Sequence, residues 1–479
     1  MNLNKLTIKK INNGLKNKDF SCKELAKSYI DAIEKKDGEI NAFITTTFDL
    51  AMKQAEKVDG KIKMGDKIGL LSGVPASVKD CFCVKGIKAT AGSNILKNYI
   101  APYDAASIKR IKDRGAVILG KVNTDEFTMG SSTETSAFGP TKNPRNLERV
   151  PGGSSGGSAA SVAADMAAFS LATDTGGSIR QPAAFCGVAG LKPTYGRVSR
   201  YGVMSMASSL DTIGIIAKTS EDIAIVLETI AGSSQRDSTT PRIKVDNYLG
   251  ELSGSIAGLK IGIPREYFIG GINPEIKKAV YQAIEKLKDL KCKIVEIGLP
   301  HTEYAAAAYY IIAPSEISSN MARYDGIRYG YSAVNDKNEK AENLMEIYTK
   351  TKSKGFGDEV KRRIMIGTYA LSSGYYDAYY KKAAQARIMI KKDFDSAFKS
   401  VDAILAPVTP STAFKIGEKT ANPLDMYLED IFTIPMNLAG VPALSVPFGN
   451  VNNLPVGVQI VGKHFDEKTI LKIGHYLSI

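Results

Sequence analysis

Two glycine-built turns constrain this chain more than any other stretch of it. Between Pro151 and Ala160 it reads PGGSSGGSAA, with Ser154 inside, and the turn DTGGSIRQP follows with Ser178 inside. A glycine-rich segment can be a flexible linker, but linkers are seldom followed at once by patterned elements. Here SAASVAADMA reads as a small-residue helix, AAFSLATDT as a strand and SIRQPAAFCG as another short helix. Such a turn can also cradle phosphate, yet neither ends in Gly-Lys-Ser/Thr and no GxGxxG follows a strand. The third reading is a nest of backbone N–H groups that binds a developing oxyanion while a serine is held for attack. The run Thr175-Gly176-Gly177-Ser178 leads from a strand into a helix, where N–H groups converge. That geometry favours Ser178 over Ser154 as the attacking group.

Around the turns, strand and helix patterns alternate. Ser21-Cys22-Lys23-Glu24 has the form of a capping box and predicts a helix through ELAKSYIDAIEKK; a second helix is expected over Asp49 to Val58. GVPASVKD reads as a strand ending at Lys79, AASIKRIKDRG as a helix closed by Gly115, and AVILGKV as a buried strand. From about Glu275 to Tyr380 the chain turns helical and rich in lysine and tyrosine, with a polar stretch from Ser332 to Ala341 expected as an exposed loop. Strands return at VDAILAPVT, ALSVPFG and LPVGVQIVG, before an amphipathic helix near EKTILKIGHYL. The expectation is an α/β fold in one domain over residues 1–479, a mixed β-sheet with helices packed on its faces. The sheet would come from about 60–270 and 400–479, with a helical insertion over about 275–395.

With 479 residues the chain can bury a large core, and its 44% hydrophobic and 24% charged residues are those of a soluble globular protein. No apolar run is long enough for a membrane span, and the N-terminal stretch lacks the apolar centre of a signal peptide. The cysteines Cys22, Cys81, Cys83, Cys186 and Cys292 are scattered and odd in number, which fits reduced thiols in a cytoplasm and matches neither a zinc site nor a redox pair. A net charge of +13 is compatible with a nucleic-acid partner, but the lysines are spread over solvated helix faces without an arginine-rich arm or an RNA-binding aromatic signature.

A serine nucleophile needs a base. The three histidines, His301, His464 and His475, lie late in the chain without a motif, which argues against a Ser-His-Asp triad. Lysine can substitute when burial depresses its pKa. Lys79, in the apolar run GVPASVKD, is the candidate; a salt bridge to the neighbouring Asp80 is the competing reading.

The segment GGSSGGSAASVAADM…SLATDTGGSIRQPAAFCGVAGLKPTYGRVSRYGV resembles the amidase signature family, and Lys79, Ser154 and Ser178 match that family's Lys–Ser–Ser triad. TDEFTMGSSTETSAFGPTKNP, ASSLDTIG, SSNMARYDGIRYG, GFGDEVKRRIMIGTYALSSGYYDAYY and IPMNLAGVPALSVPFG extend the resemblance to the glutaminase subunits of bacterial tRNA-dependent amidotransferases. The resemblance implies that Ser178 attacks the side-chain amide of glutamine, and that Ser154, as a cis-serine, relays the proton to Lys79. It implies that N–H groups around Thr175, Gly176 and Gly177 form the oxyanion hole. Tyr309, Arg363 and Asp430 would bind glutamine, Arg363 suiting its carboxylate and Asp430 its ammonium.

No metal or cofactor is expected in this chain. The resemblance places ATP and Mg²⁺ in a larger B subunit. That subunit would use the ammonia to convert Glu-tRNA(Gln), or Asp-tRNA(Asn), and a small C subunit would complete a heterotrimer; misacylated tRNA would be held mainly by B. The alternatives are a stand-alone amidase for another primary amide and a catalytically silent scaffold. The chain departs from the family pattern at Arg145, where the family has a tryptophan, and at Ser205, Met206 and Thr212.

Overall fold

The computed structural model describes residues 2–268, 272–337 and 340–478. Eleven strands among them form one sheet: β1 (Phe43–Thr46), β2 (Pro75–Lys79), β3 (Val117–Val122), β4 (Phe169–Asp174), β5 (Ala189–Lys192), β6 (Thr212–Ala217), β7 (Lys260–Pro264), β8 (Lys293–Ile297), β9 (Ala403–Pro407), β10 (Ala443–Val451) and β11 (Leu454–Gly462). Their order across the sheet is β1-β3-β2-β4-β6-β5-β10-β11-β9-β7-β8. Near its two ends strands pair in parallel, β3 with β2 with β4 and β9 with β7 with β8, while the centre from β4 to β9 is antiparallel. The sheet is therefore mixed.

Every residue of β2, β3, β4, β5, β6, β9 and β11 is buried. Successive side chains of a strand point to opposite faces, so uninterrupted burial means that both faces are covered. The helices Gly156–Ala163, Ser220–Ile230 and Glu467–Ser478 supply part of that cover. The N-terminal helix Cys22–Ile40 opens on the predicted capping box, with Ser21 Oγ accepting from Glu24 N–H and Glu24 reaching back to Ser21 N–H. The next helix runs over Phe48–Lys63, longer than its apolar period suggests.

Two boundaries differ from expectation. The sheet draws β1 from before residue 60, and β8, with the helix Pro274–Asp289 that precedes it, falls inside the stretch expected to be a helical insertion. KIVEI alternates weakly because β8 is an edge strand with one face half-exposed, and five residues after a lysine-rich helix carry little periodic signal. Among the described residues, the stretch from Pro300 to Ala397 holds helices and the loops between them and no strand. It builds an apolar cluster of its own, in which Tyr309, Ile312, Ile390 and Phe394 pack with Ile404, Phe432 and Met436. Of the polar stretch after Ser332, residues 338 and 339 lie outside the described residues; Ala333 within it is buried, and Lys337 and Lys340 are exposed.

Candidate active site

The first glycine turn enters the helix Gly156–Ala163 and the second lies between β4 and the helix Arg180–Cys186. A backbone bond from Ser155 N–H to the Ser178 carbonyl, 3.2 Å, holds them against each other. Ser154 and Ser155 are fully buried, whereas Ser178 is partly exposed. The Gly153–Ser154 peptide is cis. Gly177 has φ +147°, a value that side chains rarely adopt, and a Cβ there would also run into Thr433. Within the turn, the N–H groups of Gly176, Gly177 and Ser178 donate to no protein acceptor among the described residues. Three adjacent free donors beside a serine are what an oxyanion requires.

Lys79, the last residue of β2, is fully buried, and its Nζ meets three hydroxyls: Ser154 Oγ at 2.8 Å, Ser155 Oγ at 2.8 Å and Thr173 Oγ1 at 2.9 Å. Burial pushes its pKa down to about 8, with partial opposition from Cys81, Asp125, Asp174 and Asp211. A neutral amine has two hydrogens and one lone pair, so one of the three hydroxyls must donate to it. Ser155 already donates its proton to the Thr173 carbonyl, 3.1 Å away, which leaves Ser154 well placed to give its proton to Lys79. Asp80 does not pair with Lys79. Its carboxylate receives the Lys121 ammonium at 2.9 Å and the hydroxyl of Thr90.

The loop after β3 shapes the opposite side of the serines. Asp125 donates its N–H to the Ser154 carbonyl at 3.3 Å, and its carboxylate gathers Thr133 N–H at 2.9 Å and Thr135 Oγ1 at 2.8 Å. Behind the second turn, Asp174 and Arg180 form a fully buried ion pair at 3.0 Å, and Arg180 also donates to Asn437 and Gln459. Burial raises the Asp174 pKa, but Arg180, Lys192 and Asn437 together outweigh it and hold the carboxyl at about 2. Thr433 donates to the Gly176 carbonyl at 2.6 Å, and Thr175 donates to Asp211 at 2.8 Å. The Met206 N–H also reaches Asp211, and Thr212 follows it into β6, so two of the family departures sit behind Thr175. Arg145 donates through Nε to the Cys186 carbonyl at 2.9 Å, at the C-terminus of the helix that follows Ser178.

Helices form the facing wall. Tyr309, on the helix Ala305–Met321, lies over the second turn: a Cβ on Gly176 would sit 2.9 Å from its hydroxyl. Asp430 is beside it. One carboxylate oxygen accepts from the Ser131 hydroxyl; the other, Oδ1, is buried without a partner among the described residues and faces Gly177. Burial raises the Asp430 pKa to about 8, Ser131 working the other way. Arg363, on the helix Asp358–Leu371, is held through Nε by Glu359 Oε1 at 2.8 Å, and that oxygen also accepts from Tyr427 at 2.9 Å. The Arg363 guanidinium lies over the Tyr427 ring, 5.5 Å from its centroid, and Tyr427 stacks on Tyr310 at 4.0 Å. Its Nη atoms stay free of protein acceptors among the described residues. A cleft of about 250 Å³ runs past Ser131, Glu359, Arg363 and Tyr427.

All nine residues singled out from the sequence are thus found on two walls, around the second glycine turn. Sequence reasoning missed Ser155, Thr173, Ser131, Glu359 and Tyr427. Glu359 carried a signal, since it stands four residues before Arg363 in the stretch expected to be helical, and Ser155 is the neighbour of Ser154 in the first glycine turn; the hydroxyls of Thr173, Ser131 and Tyr427, brought in from other elements, carried none.

The amidase family profile matches residues 24–471. The chain belongs to the amidase family. Among its relatives, the glutamyl-tRNA(Gln) amidotransferase A subunit of Carboxydothermus hydrogenoformans is 55% identical over 475 residues, covering 99% of this chain and 97% of that protein. The crystal structure of the same-named protein from Thermotoga maritima superposes with a TM-score of 0.81 at 42% identity, covering 98% of this chain and 94% of that one. A peptide amidase from Stenotrophomonas maltophilia shares the amidase fold at a TM-score of 0.82 and 28% identity, over 98% and 96% of the two chains.

Proposed function

We propose that this amidase-family chain is the glutamine-hydrolysing subunit of a tRNA-dependent amidotransferase. The observation that carries the reading is the buried Lys79–Ser154 hydrogen bond beside a turn of free N–H groups, faced by Arg363 and Asp430. The full-length similarity to glutamyl-tRNA(Gln) amidotransferase subunits supports the substrate.

In this reading glutamine enters the cleft with its carboxylate on the Arg363 Nη atoms and its ammonium on Asp430, and Tyr309 packs beside its side chain. A bound ammonium supplies the counter-charge that Asp430 lacks, so binding favours its ionised form. Ser178 Oγ attacks the carboxamide carbon. Its proton passes to Ser154, whose own proton passes to neutral Lys79. The oxyanion is held by the N–H groups of the Thr175–Ser178 turn, each donor contributing about 3 kcal/mol to the lowered barrier. Lys79 returns the proton through Ser154 to the departing nitrogen, ammonia leaves, and water releases glutamate from the Ser178 ester by the same route reversed.

The ammonia serves a B subunit that activates Glu-tRNA(Gln), or Asp-tRNA(Asn), with ATP and Mg²⁺, in a cytoplasmic heterotrimer completed by a C subunit. This chain itself requires no metal or cofactor. The test is ammonia release from glutamine by the chain alone and with B and C subunits, ATP and Glu-tRNA(Gln). Release that depends on the partners and on Ser178 is expected. Hydrolysis of simple amides with no activity on glutamine in any mixture overturns the reading.

A further inference from the structure

Glu126 ties the two walls of the site together, and we propose that it is a positioning residue that sets the Arg363 helix in register with the catalytic serines. The proposal rests on the reading of Arg363 as the clamp for the substrate carboxylate. Asp125 and Glu126 stand side by side in TDEFTMG, and their carboxylates take different partners. Asp125 organises the loop against Ser154, as described above. Glu126 Oε2 accepts the Gly357 N–H at 2.8 Å, and Oε1 accepts the Ser93 hydroxyl.

Gly357 is the cap position of the helix Asp358–Leu371, and a glycine has no side chain with which to cap it. The first N–H groups of a helix lack intrahelical partners and carry its positive end. A carboxylate from the sheet side supplies that acceptor here, less than two turns before Arg363. Phe127 adds a second anchor: with φ +47° it sets its ring 5.7 Å from Phe356 and 4.7 Å from Tyr324.

Two further observations separate this contact from an ordinary surface cap. Burial pushes the Glu126 carboxyl up to about 7, so the acid is kept in a place that disfavours its charge. Gly357 has φ −75°, which any residue adopts, yet a Cβ there would lie 2.5 Å from Glu126 Oε2. A side chain at 357 would thus displace the Glu126 carboxylate without disturbing the backbone.

The experiment compares Glu126→Ala, Gly357→Ala and the double variant with wild type, in the assembly that hydrolyses glutamine. Each single variant is expected to raise KM for glutamine about tenfold with kcat within about twofold, because the serines and Lys79 are untouched. The double variant should be no worse than Glu126→Ala, since the added methyl then enters vacated space. Glu126→Gln, which keeps one acceptor oxygen, should recover part of the loss and serves if Glu126→Ala does not fold. A fall in kcat at unchanged KM, additive effects, or no change in either single variant overturns the proposal. Arg363→Ala is the control: if it leaves KM unchanged the clamp reading itself fails, whereas a raised KM there with unaltered Glu126 and Gly357 variants defeats only the positioning role.

Discussion

The wall that carries Lys79, Ser154 and Ser178 is made of strand ends and the turns that leave them; the wall that carries Tyr309, Arg363 and Asp430 is made of helices and a short turn. On the strand side the proton-carrying side chains are closed into hydrogen bonds, down to the third hydroxyl on Lys79, and the turn's N–H groups are what stays open. On the helical side the groups are held from behind and left open in front: among the described residues Arg363 is bonded through Nε only, and Asp430 through one oxygen only. Bond-making chemistry needs fixed partners before substrate arrives, whereas a zwitterion clamp needs vacant valences for the substrate to fill.

Breaking the strand side should cost most. Ser178→Ala is expected to lower glutamine hydrolysis by on the order of 10³-fold or more, while ammonia-dependent amidation by the assembly persists. Steady-state ammonia release and amidation with added ammonium salt check both halves of that statement. Breaking the helical side should cost less and act differently. Arg363→Ala removes a charge-assisted contact worth roughly 2–3 kcal/mol, so KM for glutamine should rise about 30- to 150-fold with a smaller change in kcat.

The two sides also titrate. Lys79 accepts a proton only when neutral, and with its pKa at about 8 the neutral fraction shrinks as pH falls. The glutamine kcat/KM should therefore drop about tenfold per unit on the acid side of that value; a level profile from pH 6 to 8 would contradict the lysine base. The smallest effect is expected at Ser131→Ala. Ser131 lowers the Asp430 pKa, so its loss should move the Asp430 titration to higher pH and raise KM at neutrality by roughly 3- to 10-fold. The shift is readable in a pH series of KM.

The same contrast governs how much the sequence disclosed. PGGSSGGS and DTGGSIR are legible because glycine turns between patterned elements leave few chemical readings, and strand ends fall where the apolar runs stop. Arg363 and Asp430 were reached through resemblance alone, since a helical arginine beside Arg362 and an acid beside Glu429 look like surface charges. Ser131 and Asp430 lie 299 residues apart, and no local pattern encodes such a pairing. β8 was lost within a helical stretch for the reverse reason, a short edge strand whose exposed face breaks the apolar run.

β5 is joined in the sheet to β10, so Lys192 pairs with Ala443 across the centre of the molecule. The Asp174–Arg180 pair behind the second turn likewise depends on Asn437 and Gln459. During synthesis the ribosome therefore delivers the triad long before its supports. Until the last strands emerge, β5 presents an apolar strand edge with nothing to pair against, and such edges invite association with other chains. A nascent chain stalled ahead of β10 would hold all three catalytic residues and still lack an assembled site, and it is in that interval that a chaperone has most to protect.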